Sequence, residues 1–136
     1  MITMLLFLKM YVIAFVVFFI VDLLWLGIIA KKLYNEQLGH LLRTDVNWTA
    51  AILFYLIFIA GVVTFVLMPA WNDGSFIKAL LMGGLFGFIA YSTYDLTNLA
   101  TMKDWPLFIT VVDLLWGTAL GALTASISYG ILTLLS

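Results

Sequence analysis

The five residues VDLLW occur twice in this chain, at 21–25 and again at 112–116, and each copy carries an aspartate into a strongly apolar stretch. A third aspartate, Asp95, lies in the polar run YDLTNLAT at 94–101. Carboxyl groups held near one another away from water cannot all ionise cheaply, so at least one keeps a proton or the cluster holds a cation. A protonated and an ionised carboxyl together form an acid/base pair. Carboxylate oxygens also suit a hard divalent cation. Asp22, Asp95 and Asp113 are therefore the candidates for proton donor, proton acceptor or joint cation ligands. No cofactor is identified beyond that cation. Asn98, Tyr91, Tyr94 and Thr97 enrich the same end of one segment with groups able to orient a polar head. Trp25 and Trp116, each three residues after its aspartate, could donate an indole N–H to a carboxylate on a neighbouring element.

Composition says what those elements are. Of 136 residues, 65% are hydrophobic and only 10% charged, against about 45–50% and about 25% in an ordinary soluble domain. The net charge of −1 offers nothing to a nucleic acid or to an anionic surface. Without cysteine there is no disulfide, thiol nucleophile or thiolate metal site, and the single histidine, His40, excludes paired-histidine haem ligation within one chain. No Walker loop, Gly-x-Ser-x-Gly elbow or His-Glu-x-x-His motif is present.

A bilayer crossing takes about 20 mainly apolar residues. Four stretches qualify, at about 10–30, 49–70, 76–100 and 106–132, and they are read as one transmembrane domain over 1–136. The first exceeds the apolar core of a signal peptide, carries Asp22 and lacks a clear small-x-small site, so it is read as a retained span. In hydrocarbon the backbone must satisfy its own hydrogen bonds, so the spans are helices. The predicted fold class is thus all-α, an integral membrane bundle of four transmembrane helices. The match of DLxxL at 22–26 with DLxxL at 95–99, and of NWT at 47–49 with DWP at 104–106, would follow from two repeated helical hairpins. Chance would also explain it, because leucine is abundant.

The four spans put the three aspartates at one depth. Asp22 lies nine residues before Lys31, Asp95 six before Thr101 and Asp113 seven after Pro106. At about 1.5 Å per residue each is roughly 9–14 Å from the same membrane face. A carboxylate at such depth costs about 2.5–3.5 kcal/mol on insertion scales and so turns to the bundle interior. Gly83, Gly87, Tyr91 and Asp95 repeat every fourth residue on the third span, as do Asp113, Gly117 and Gly121 on the fourth. Small residues so spaced let helices approach closely. If these faces meet antiparallel, the glycines pack in the far leaflet and Asp95 and Asp113 converge. The same stripe would equally serve a homodimer. Buried Asp, Asn, Thr and Tyr can also be interhelical glue, worth about 0.6 kcal/mol per bond. Three carboxylates exceed what glue requires, and a site is the favoured reading.

Lys31, Lys32, Arg43 and Lys103 lie on the side of the first and third connections, whereas Lys9, Lys78 and the free amino group lie on the terminal side. This asymmetry places the two connections in the cytoplasm and the termini in the periplasm. Glu36 and His40, four apart, could pair on a helix or sit at the mouth of the site; a solvated face is the favoured reading. Asp104, just before Pro106, could cap the fourth span.

The stretches FFIVDLLWLGIIAKKLYNEQLGHLL, AYSTYDLTNLATMKDWP and TVVDLLWGTALGAL together resemble a bacterial membrane family catalogued as a domain of unknown function, number 2177. The resemblance covers nearly the whole chain. It implies a small multi-pass protein of the bacterial inner, or cytoplasmic, membrane and brings no established activity or catalytic residue. The residues leave open whether the protein is an enzyme. Three functions compete: binding or acting on a lipid or other amphiphile at an Asp-lined pocket in the cytoplasmic leaflet, proton- or ion-coupled transport or a channel as a dimer, and a non-enzymatic scaffold or accessory subunit.

Overall fold

A computed structural model describes residues 3–136, which are helical apart from short connections, with no strand among them. The amino group counted above with the terminal side lies outside these residues. Helix α1 (Met4–Leu24) runs on through a π-helical turn at Trp25–Ile29. A short helix α2 (Lys31–Leu38) follows. Helix α3 (Trp48–Val62) continues through a second π-helical turn at Val63–Leu67 into α4 (Met68–Asn72). Helices α5 (Phe76–Thr101) and α6 (Leu107–Leu135) complete the chain. Four continuous helical segments are long and apolar enough to cross a membrane: Met4–Ile29, Trp48–Asn72, Phe76–Thr101 and Leu107–Leu135. The first starts six residues before the expected position 10.

Local chemistry sets the boundaries. Thr3, Asn47 and Ser75 cap α1, α3 and α5 by accepting the N–H of Leu6, Ala50 and Lys78, each supplying an acceptor for an otherwise orphaned donor. Pro106 precedes α6, which has no side-chain cap; Asp104 does not take that role. The tight turn between α4 and α5 needs Gly74 at φ +61°, in the left-handed region that only glycine enters without cost. The π-helical turn at Val63–Leu67 has an identifiable cause in Pro69. A proline there has no N–H to give the carbonyl of Phe65, and its ring crowds that carbonyl; widening the preceding turn relieves both.

Packing is uneven around the bundle. Helices α5 and α6 approach along their glycines: a methyl group added at Gly83 or Gly87 would run into the carbonyl oxygen of Gly121 or Gly117. Gly83, Gly87, Gly117 and Gly121 are buried in this contact, so the stripe is used within one chain and is not an open face. Each interior glycine weakens a helix by roughly 0.8–1.0 kcal/mol relative to alanine; close backbone packing offsets it. Elsewhere, bulky rings join α1, α3 and α5. Phe18 packs on Tyr55 and Phe58 at centroid distances of 5.4 and 5.3 Å, and Phe58 on Phe86 at 5.4 Å. The main core gathers Met10, Ala14, Ile59, Val63, Leu67 and Leu120, all fully buried. A separate small core of Leu38, Trp105 and Ile109 lies under α2.

Candidate functional site

The π-helical turn of α1 opens at Trp25, three residues after Asp22, and lets the chain bend at Ala30 into α2, with the Ala30 N–H bonded to the Trp25 carbonyl at 2.7 Å. This bend lays α2 across the end of α6. Its inner face is Leu33, Tyr34 and Leu38, while Lys31, Lys32, Asn35 and Glu36 face outward. Asp95 comes from α5 and Asp113 from α6, carried together by the glycine contact one to three turns away.

All three aspartates are buried, with 7% of Asp22, 0% of Asp95 and 6% of Asp113 exposed. The carboxyls of Asp95 and Asp113 face each other. Asp22 faces the Trp116 indole, with Asp113 beyond it. Tyr34 donates its hydroxyl hydrogen to Asp113 Oδ1, and Trp25 Nε1 donates to Tyr34 Oη at 3.2 Å. The indole of Trp25 thus reaches a carboxylate through Tyr34 rather than directly. Trp116 Nε1 and both carboxyl oxygens of Asp95 have no hydrogen-bond partner. Two ionised carboxylates repel; a proton shared by Asp95 and Asp113 is the economical way to hold them face to face. Tyr34 lies outside the membrane-spanning segments. Burial first, then its bond to Asp113, raises the pKa of its hydroxyl above the ordinary tyrosine value.

The other expected groups divide. Tyr91 is half-buried, its ring lying against Gly117 and its hydroxyl within electrostatic reach of Asp22 and Asp113. Asn98 is half-buried one turn past Tyr94. Tyr94 is 54% exposed and packs edge-on to Trp105 at 5.6 Å. Thr97 is exposed on the outer face of α5, away from the carboxyls. Glu36 pairs with Lys32 at 3.8 Å instead of with His40, and His40 Nε2 donates to the Asp104 carbonyl at 3.2 Å, tying the first connection to the third. Tyr34 joins the site although no four-residue spacing in the sequence points to it. Its signal was the amphipathic pattern of AKKLYNEQL, in which Tyr34 and Leu38 share an apolar face opposite the charges.

No group of three or more His, Cys, Asp or Glu side chains that could hold a metal ion exists among the described residues. The divalent cation weighed for Asp22, Asp95 and Asp113 therefore has no three-ligand set: Asp22 is turned to Trp116, and Asp113 is engaged by Tyr34. What the arrangement can do is hold and pass a proton, or accept hydrogen bonds from a donor-rich group. The carboxyls are closed off on the side of the connections by Leu38, Trp105 and Ile109, with Trp105 fastened by an indole bond to Thr110 Oγ1 at 3.1 Å.

No curated protein and no solved structure matches the chain. A family model described as "Predicted membrane protein (DUF2177)" matches residues 7–130. With that match covering most of all four apolar helices, the chain is a multi-pass membrane protein belonging to the DUF2177 family, whose function is unknown.

Proposed function

We propose that this protein binds a lipid or other amphiphile by its polar head at Asp22, Asp95 and Asp113. The site lies in the leaflet beside the two connections, whose basic residues Lys31, Lys32, Arg43 and Lys103 favour the cytoplasmic side, in what the family resemblance implies is a bacterial inner membrane. The observation that carries this reading is Asp95: it is 0% exposed, and apart from a proton shared with Asp113 no side-chain or backbone donor reaches its carboxyl oxygens. A buried acceptor left unpaired costs about 1–3 kcal/mol. Glue alone would pair its own groups; an unpaired acceptor beside a carboxyl is a place for a ligand's donor. Tyr91 and Tyr34 orient the head, and Asp95 with Asp113 can exchange a proton with it. Native mass spectrometry of gently extracted protein tests the reading against a variant with Asp22, Asp95 and Asp113 all changed to Asn. A defined lipid adduct lost in the variant is expected; identical bare spectra would transfer the weight to a scaffold held together by polar glue.

One observation favours proton movement as a second reading. The far half of α6 buries Thr124 and Ser128, both 0% exposed, and neither hydroxyl has a partner. They lie four residues apart on the face that also carries Asp113. Fully buried Leu120 stands between them and Asp113, so a proton path would need water there. A pH-driven flux in proteoliposomes, abolished by Asp113→Asn, would establish this reading, and its absence would remove it.

A further inference from the structure

We propose that a groove between α3 and α5 takes the chain of a single-chain amphiphile whose head, an alcohol or amine, donates hydrogen bonds to the aspartates. This rests on the reading of the carboxyls as a head-binding site and adds the route, the chain seat and the head chemistry.

The first two turns of α3 lean on α1 through the Phe18–Tyr55 contact and leave their α5 side open. Two hollows occupy that side. One, of about 300 Å³, is lined by Phe54, Ala90, Tyr91 and Tyr94. The other, of about 520 Å³, runs deeper past Ile57, Gly61, Phe65 and Phe86. They share Phe54 and Ala90, so they form one track. Ligand sites span about 300–1,000 Å³. From Phe54 to Phe65 the track covers roughly 16 Å of helix axis. Its lower half is roofed where the Phe86 ring sits over Gly61; a methyl at Gly61 would strike that ring. At Ala90 the small side chain leaves the track wide.

Both helices are membrane spans, so the open side faces lipid tails, and the occupant with the right chemistry is an acyl or alkyl chain. The upper end of the track is Tyr91, whose hydroxyl lies within electrostatic reach of Asp22 and Asp113 and which has Asp95 one turn further on the same helix face. Phe54 lies six residues inside α3 and Asp95 six residues before the end of α5, so the wide end of the track is at carboxyl depth. Entry from the aqueous side is blocked by Leu38, Trp105 and Ile109. A ligand therefore comes sideways from the bilayer.

Head chemistry follows from what lies behind Tyr91: the aspartates do not line the track but are buried one layer further in, so the head reaches them by displacing the Tyr91 side chain. Beyond the proton it shares with Asp113, Asp95 offers acceptor capacity that no protein donor fills. Asp22 and Asp113 add negative charge, while Lys31, Lys32 and Lys103 on the connections are exposed and none pairs with a site carboxyl. A phosphate or carboxylate head meets repulsion with no cation to offset it. A hydroxyl or ammonium head supplies the missing donor.

The test uses photoactivatable hexadecanol, hexadecylamine and palmitate with the intact protein in phosphatidylcholine vesicles, followed by mapping of labelled peptides. The alcohol and amine are expected to label the track segments of α3 and α5 at least fivefold above palmitate. Ala90→Phe, which fills the wide part, is expected to bring that labelling down to the palmitate level. Ile57→Trp narrows the track from its lipid-exposed rim without touching the core, and the same loss is expected. Asp95→Asn is expected to keep the track labelled by all three probes and to abolish the preference. Equal labelling of lipid-facing residues on all four spans, indifferent to both track substitutions, would overturn the track even if native adducts still respond to the triple Asn variant. Labelling that answers to Ala90→Phe and Ile57→Trp but shows no preference in the wild type would overturn the head chemistry and point to failure at the carboxyls.

Discussion

The indoles of Trp25 and Trp116, the closing residues of the two VDLLW copies, stack with centroids 4.5 Å apart and planes 9° from parallel. The two motifs run in opposite directions through the membrane and still bring the same side chains together. Parallel indoles this close couple their transitions. A circular-dichroism couplet in the indole region is expected for the wild type, lost to the same degree in Trp25→Phe and in Trp116→Phe. A couplet surviving either substitution would mean the stack is absent in the membrane.

Tyr34→Phe removes the donor to Asp113 and the acceptor for Trp25 Nε1 together. A cost of about 1.5–3 kcal/mol is expected, the range for a hydrogen bond to a charged partner, read as a lower midpoint of thermal unfolding in detergent. The pH dependence has a definite sign. Burial holds the Tyr34 pKa above its unfolded value, so this group's stabilisation is complete below about pH 10. It falls as pH climbs past that value, because the unfolded chain then releases its proton first. Tyr34→Phe should flatten the alkaline limb of the stability profile.

Gly87→Ala is expected to separate α5 from α6. The added methyl meets the Gly117 carbonyl, which is backbone and cannot rotate away. Overpacking of this kind costs typically about 1–3 kcal/mol. Gly130→Ala is the control, since nothing lies within 4 Å of a methyl placed there. If both variants melt with the wild type, the close glycine contact is wrong.

Asp95→Asn should leave the protein at least as stable as the wild type while weakening ligand capture. The amide donates to Asp113 without needing a shared proton, removing a conflict between two buried carboxyls. A midpoint of thermal unfolding equal to or above that of the wild type, with the lipid adduct reduced, is the expected pair of results. A clear loss of stability would make Asp95 a structural group instead. Sites that bind or react commonly trade stability for function in this way.

Much of this was legible in the residues alone. Runs of apolar residues about 20 long can only be satisfied helices in a bilayer, so the four spans follow from length and composition. Depth follows too: helical rise is constant, and counting from Lys31, Thr101 and Pro106 brought Asp22, Asp95 and Asp113 to one level. Four-residue spacing was enough to pick out the glycine contact, because Gly83, Gly87, Gly117 and Gly121 can lie nowhere else but on one stripe of each helix. What counting could not supply was direction around the axis where the helix period breaks. The π-helical turn at Trp25–Ile29 adds a residue to one turn, which shifts the register of the residues after Trp25 and lets the chain fold back at Ala30 so that Tyr34 meets Trp25. Nor could it tell that Thr97, two residues from Asp95, looks outward, or that Asp22 meets Trp116 rather than completing a metal site. Those depend on which faces of α1, α3 and α5 close on one another. That choice is made by ring packing among Phe18, Tyr55, Phe58 and Phe86, contacts between residues far apart in the chain whose geometry no local pattern encodes. The sequence by itself determined the elements and their depth; the tertiary structure alone decided which side chains share the site and left the track between α3 and α5 open.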